Sequence, residues 1–277
     1  MSMDFIEFLK ALILGFVEGM TEFAPVSSTG HMIIVDDMWL KTSEFLGDAS
    51  ANTFKIVIQL GSILAVVVVM WKRILSLIGL YHFEGQTKSS HFNVLHVLIG
   101  ILPAGILGVL LENYIDAHLF SIETVIIGLL VGAFLMIAAD RFGPRTPRIT
   151  SLDKISYKNA FLIGLVQCLS LWPGFSRSGS TISGGVLFGL THKTAADFTF
   201  IMAVPIMVGA SGLSLVKHWD EINVGDMGFY VVGFISAFVF ALISIRFFLK
   251  LIDRIKLVPF AIYRIVLATI LAIVVFL

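Results

Sequence analysis

Long apolar stretches separated by short charged segments dominate the chain. A bilayer hydrocarbon core of roughly 30 Å is crossed by about 20 mostly apolar residues in a helix. Uncharged runs of that kind fall at 56–71, 93–111, 124–139, 198–216, 227–245 and 257–277, the last interrupted by Arg264. They predict six transmembrane helices in an all-α, polytopic integral membrane protein. Two further regions, 11–35 and 159–190, are equally apolar but broken by Gly, Pro, Ser and ionisable residues. These read as broken helical hairpins rather than clean spans.

Charge at the ends of the runs orients them, because short loops rich in Lys and Arg stay cytoplasmic. One such loop carries Lys72, Arg73 and Lys88, a second Arg141, Arg145, Arg148, Lys154 and Lys158, and a third Arg246, Lys250, Arg254 and Lys256. The loops around Asp36, Asp37, Glu44 and Asp48, around Glu112 and Asp116, and around Asp220, Glu221 and Asp226 hold only Lys41 and Lys217 as basic residues, so they are placed outside. Six spans alternate through these loops only if both broken regions are re-entrant, the first from outside and the second from inside. Opposite entry sides suggest inverted-topology repeats.

An internal repeat supports this. Gly15 aligns with Gly164, Val17 with Val166, Glu18 with Gln167, Thr21 with Ser170 and Phe23 with Trp172; Ser27-Ser28-Thr29-Gly30 aligns with Ser176-Arg177-Ser178-Gly179, and Phe54 with Phe198. The expectation is a single membrane domain over 1–277, with repeat one at about 1–140, repeat two at about 155–277, and a basic cytoplasmic linker at 141–154.

Composition narrows the class further. Of 277 residues 57% are hydrophobic, 24 are Phe and only 14% are charged, more apolar side chain than one soluble core buries. Nineteen basic against nineteen acidic residues leave no net charge, which sets nucleic acid aside as a partner. The lone Cys168 excludes an intramolecular disulfide, and no Cys/His spacing fits structural zinc. Asp4 and Glu7 stand where a signal peptide carries positive charge, so the N-terminal segment is expected to be mature protein.

The chemistry concentrates in the broken regions. In Glu18-Gly-Met-Thr-Glu22-Phe-Ala-Pro25-Val-Ser27-Ser28-Thr29-Gly30-His31, helical spacing stacks the two carboxylates on one face. A charged side chain at membrane depth costs about 2.5–3.5 kcal/mol on insertion scales, so the pair implies a cation or a wet cavity, unless the helix lies at the interface. Pro25 breaks the helix, and the hydroxyls that follow sit where free N–H groups favour anions, phosphate above all. A surface Ser/Thr cap would carry the same residues. In Pro173-Gly-Phe-Ser176-Arg177-Ser178-Gly-Ser-Thr181, Arg177 is the only charge between Lys158 and Lys193, and its planar fork matches phosphate oxygens. A structural ion pair is the plainer alternative; the repeat sets Arg177 opposite Ser28, so that both would face one site. No role is assigned to Arg264, expected near the mouth of its span or paired internally, to Lys55 and Asp197, expected to flank spans, or to His82, His91, His96, His118, His192 and His218.

EGMTEFAPVSSTGH and PGFSRSGSTISG resemble the paired E-x-x-x-E and P-G-x-S-R-S-x-x-T motifs of the bacterial undecaprenyl-diphosphate phosphatases of the bacitracin-resistance type, and the resemblance extends over TFKIVIQLGSILAV and the length. It implies an inner-membrane enzyme that converts undecaprenyl diphosphate to undecaprenyl phosphate and phosphate, with functional residues carried onto Glu18, Glu22, Ser28, His31 and Arg177, supported by Ser27, Thr29, Ser176, Ser178 and Thr181. On that reading Ser28 attacks the terminal phosphorus and Glu22 takes its proton. His31 is the rival nucleophile or acid/base, and Glu18 with Glu22 is expected to hold a divalent cation, Mg²⁺ or Ca²⁺. The polyprenyl diphosphate and membrane lipid are the partners implied, a homodimer is left open, and the site is expected to face the periplasm. A secondary transporter or flippase is the alternative of a different class, since inverted repeats with broken helices are common there. The other lipid-phosphatase superfamily, with its histidine pair, is disfavoured because no His follows Arg177 before His192.

Overall fold

The computed structural model describes residues 4–83, 92–217 and 224–276. Lys88, His91, His218, Asp220 and Glu221, used above to orient loops or set aside, lie outside the described residues. The chain begins with α1 (Phe5–Thr21), which Asp4 and Glu7 cap reciprocally: Glu7 N donates to Asp4 Oδ1 at 2.7 Å and Asp4 N to Glu7 Oε2 at 3.0 Å. After a turn come α2 (Ser28–Met32), a π-helical stretch Ile33–Leu40, α3 (Thr42–Leu46), α4 (Asp48–Val69) and α5 (Trp71–Leu77). Then follow α6 (Val94–His118), α7 (Ile122–Phe142), α8 (Tyr157–Gln167), α9 (Arg177–Leu187), α10 (His192–Lys217), α11 (Met227–Ile255) and α12 (Val258–Phe276). No β-strand occurs among the described residues; one isolated bridge joins Ile149 and Leu190.

Six helices, α4, α6, α7, α10, α11 and α12, are long and apolar enough to cross a membrane, and they coincide with the six uncharged runs. Their ends do not. In α11 helix hydrogen bonding continues past the charges that ended the run, so Arg246, Lys250 and Arg254, read as loop, belong to it, whereas α4 stops at Val69 and Lys72 and Arg73 lie in the separate helix α5. Lys55 and Asp197, expected to flank spans, lie within α4 and α10. The Lys55 ammonium is held by Asp36 at 3.2 Å and Asp37 at 2.9 Å, so the charge inside the helix has local partners. Arg264 is fully buried inside α12 rather than at its mouth, and its partners are backbone carbonyls.

The chain forms two compact units, each drawing on both halves of the sequence: 1–24, 28–69 and 203–247 in one, 25–27, 70–202 and 248–277 in the other. In the first, α1 lies against α11. A Cβ on Gly15 would strike Gly233 O, one on Gly19 would come within 2.5 Å of Ala237 O, and the hydroxyls of Ser236 and Ser244 donate to Leu12 O at 2.7 Å and Met20 O at 3.0 Å. Such glycine contacts let backbones approach where lipid gives no hydrophobic drive to associate. Phe54 of α4 fills the notch at Gly233, beside Ile58, Phe229 and Tyr230. In the second unit α8 lies against α6, where a Cβ on Gly164 would strike Gly100 O and the Phe198 ring of α10 sits 3.1 Å from the Cβ position of Gly100. The Asp140 carboxylate joins three helix ends, accepting from His192 Nε2 at 2.7 Å, Leu257 N at 2.8 Å and Val258 N at 2.9 Å.

Candidate active site

The first broken region is built by the end of α1. Glu22 keeps helical backbone angles and donates its N–H to Glu18 O at 3.0 Å, so the two residues share one helix face one turn apart, as helical spacing expects. Glu18 is buried, 2% exposed, and Glu22 is half-buried. The chain then turns through Pro25 to Ser27, whose φ of 72° is left-handed, a conformation a non-glycine residue holds only when its surroundings impose it. That turn folds α2 back so that Ser28 Oγ donates to Glu22 Oε2 at 2.6 Å. This is at the short end of the O–H···O hydrogen-bond range. Ser28 thus has the proton acceptor that serine nucleophiles need. Thr29 and His31 share the five-residue α2 with Ser28, His31 one turn along from it. Ser27 is buried in the turn.

The second broken region has the same plan. After α8 and a short 3₁₀ turn (Cys168–Leu171), Ser176 is left-handed, φ 73°, at the position the repeat aligns with Ser27. Ser176 Oγ caps α9 by accepting from Gly179 N at 3.1 Å and lies 3.2 Å from Ser178 Oγ. Arg177, the first residue of α9, is half-buried and donates to Thr199 O at 3.3 Å. Below it Thr181 Oγ1 donates to Arg177 O at 2.8 Å and accepts from Thr199 Oγ1 at 2.8 Å, tying α9 to α10 behind the arginine. Thr181 and Ser178 are both buried.

The structure therefore pairs Ser28 with Glu22, sets Glu18 one turn before Glu22 on the same helix face, and gathers Ser176, Arg177, Ser178 and Thr181 at the start of α9. For a cation, Glu18 and Glu22 offer hard oxygen ligands, and no cluster of three or more His, Cys, Asp or Glu that could cage a metal forms among the described residues. Two carboxylates are too few for an all-protein cage, so a cation here would need further ligands from elsewhere. Of the residues given no role from the sequence, Arg264 contacts the turn that precedes Arg177; its signal was a lone charge inside an apolar run.

Comparison with known proteins adds two findings. The sequence pattern of the family described as Bacitracin resistance protein BacA matches residues 11–270. The chain is 73% identical over 277 residues to the undecaprenyl-diphosphatase of Exiguobacterium sibiricum, covering 99% of this chain and 100% of that protein. It is 60% identical over 267 residues to that of Bacillus subtilis (96% and 97%), and 57% identical over 283 aligned positions to that of Staphylococcus aureus strain MRSA252 (99% and 97%).

Proposed function

Because this chain belongs to the bacitracin resistance protein BacA family, we propose that it hydrolyses undecaprenyl diphosphate to undecaprenyl phosphate and inorganic phosphate. The reaction recycles the lipid carrier for cell-wall synthesis and confers bacitracin resistance. The observation that carries the mechanism is the 2.6 Å hydrogen bond from Ser28 to Glu22. Ser28 Oγ attacks the terminal phosphorus as its proton passes to Glu22, the bridging P–O bond breaks, and undecaprenyl phosphate leaves. Water then attacks the phosphoserine, the Ser28–phosphorus bond breaks, and phosphate departs as the hydroxyl regains a proton. Arg177 and the hydroxyls of Ser27, Thr29, Ser176 and Ser178 serve the phosphoryl oxygens, with Thr181 supporting Arg177; a guanidinium fork suits the charge spread over those oxygens. His31 is the rival to Ser28. Glu18 and Glu22 would hold Mg²⁺ or Ca²⁺, which when bound offsets the negative charge of the diphosphate.

Re-entrant hairpins and inverted repeats are part of the proposal. In their support, α1 with 17 residues and α8 and α9 with 11 each are shorter than a roughly 20-residue span. The left-handed serines recur at aligned positions, and packing is exchanged between halves: Gly15 and Phe54 meet Gly233, while Gly164 and Phe198 meet Gly100. The loop charges support a site open to the periplasmic side of the inner membrane. Inverted repeats also suit a transporter, but a serine already bonded to a carboxylate, in a chain similar over its length to undecaprenyl-diphosphatases, favours hydrolysis.

Phosphate release by purified protein from farnesyl and undecaprenyl diphosphates, with and without chelator, tests this. Release is expected from both, lower with chelator; binding without any phosphate release refutes the hydrolytic reading.

A further inference from the structure

Arg264 is the only charged residue of α12 and is 0% exposed. One terminal nitrogen, Nη2, donates to Gly174 O at 2.9 Å and to Gly128 O of α7 at 3.1 Å, and Nη1 lies 3.6 Å from Met136 Sδ. Its Nε has no hydrogen-bond partner, and the guanidinium makes no ion pair, among the described residues. A group needed only to fill space between helices would be apolar, because a buried charge without a counter-charge is costly. The side chain here instead joins α7 to the turn two residues before Ser176.

The walls of the slot are glycines for the same reason. A Cβ on Gly132 would strike Arg264 Nη2, one on Gly179 would lie 2.9 Å from Nη1, and one on Gly128 would strike Pro173 O. Trp172 Nε1 adds a second tie to α7, donating to Thr124 O at 2.9 Å. The turn itself is conformationally demanding, with Gly174 at φ 87° and Ser176 at φ 73°. Left-handed backbone at a serine persists only where surrounding contacts fix it.

We propose that Arg264 is a positioning residue that clamps the Pro173–Gly174 turn to α7 and thereby fixes the direction in which Arg177 and the first turn of α9 present their donors. It rests on the reading that Arg177 serves the phosphoryl group. Lysine is one bond too short to reach both carbonyls from the same backbone, so charge alone does not replace it.

The test uses the full chain, purified as a monodisperse species in detergent, with Arg264→Lys, Arg264→Met and Gly128→Ala. Gly128→Ala pushes the turn off α7 without removing a charge. Since misplacing a reacting group by about 1 Å costs about 100-fold, kcat is expected to fall about 10- to 100-fold in each, with KM within about threefold and weaker inhibition by orthovanadate, a phosphoryl-transfer analogue. A merely structural arginine would lower the yield of folded protein and leave the kcat of the folded fraction unchanged, which overturns the proposal; so does Arg264→Lys with kcat within about twofold of the parent. If Arg264→Met does not fold, the other two variants decide by the same criterion. Arg177→Ala is the control: full activity there refutes the phosphoryl reading, whereas an inactive Arg177→Ala beside a normal Arg264→Lys refutes the clamp alone.

Discussion

Replacing Glu22 by Gln separates proton acceptance from hydrogen bonding. The Ser28–Glu22 contact is 2.6 Å, and a Gln carbonyl accepts the same hydroxyl in the same place, so the turn and substrate binding should survive. What is lost is the capacity to take the proton and, for the proposed cation, one anionic ligand, so the comparison is made at saturating Mg²⁺. A positioned general base contributes about 10²–10⁴-fold, which at about 1.36 kcal/mol per decade is about 3–5 kcal/mol of barrier. Glu22→Gln should therefore lower kcat by about 10²–10⁴ while KM changes little, because the missing interaction belongs to the transition state. Glu22→Asp withdraws the carboxylate by about 1.5 Å, stretching the contact past hydrogen-bond range, and should fall between Gln and the parent. Initial rates of phosphate release at saturating undecaprenyl diphosphate measure this. Glu22→Gln keeping more than a tenth of the parent kcat would refute the base assignment.

Other outcomes follow from the same geometry. Ser28→Ala should abolish turnover and the trapped phosphoserine, whereas Ser27→Ala leaves a measurable fraction and Ser27→Gly more, because Ser27 is left-handed; phosphohistidine at His31 with active Ser28→Ala would move the nucleophile. Arg177→Lys should lose orders of magnitude in kcat, since an ammonium does not reproduce the fork, and near-normal rates would reduce Arg177 to a simple charge partner. Single-cysteine variants labelled from outside should react near Asp48 and not near Arg148; the reverse pattern overturns the orientation.

Hydrophobic run length identified α4, α6, α7, α10, α11 and α12 because lipid satisfies no backbone polar group, so each span must be a helix of nearly fixed length. The placing of Glu18 and Glu22 on one helix face followed from the 3.6-residue period alone. Both are local consequences of the chain. Helix ends were less legible, because Lys55 and Asp197 interrupt an apolar run without interrupting hydrogen bonding, and whether a charge is tolerated depends on partners as remote as Asp36 and Asp37. Spacing did not bring Ser28 within 2.6 Å of Glu22; the left-handed turn at Ser27 did. Nor did it distinguish Arg264 at the mouth of its span from Arg264 buried against Gly128 O and Gly174 O, far apart in sequence. Only the packing of α7, α12 and the Pro173–Gly174 turn supplies those carbonyls, and only glycine at 132 and 179 leaves room for the guanidinium that reaches them.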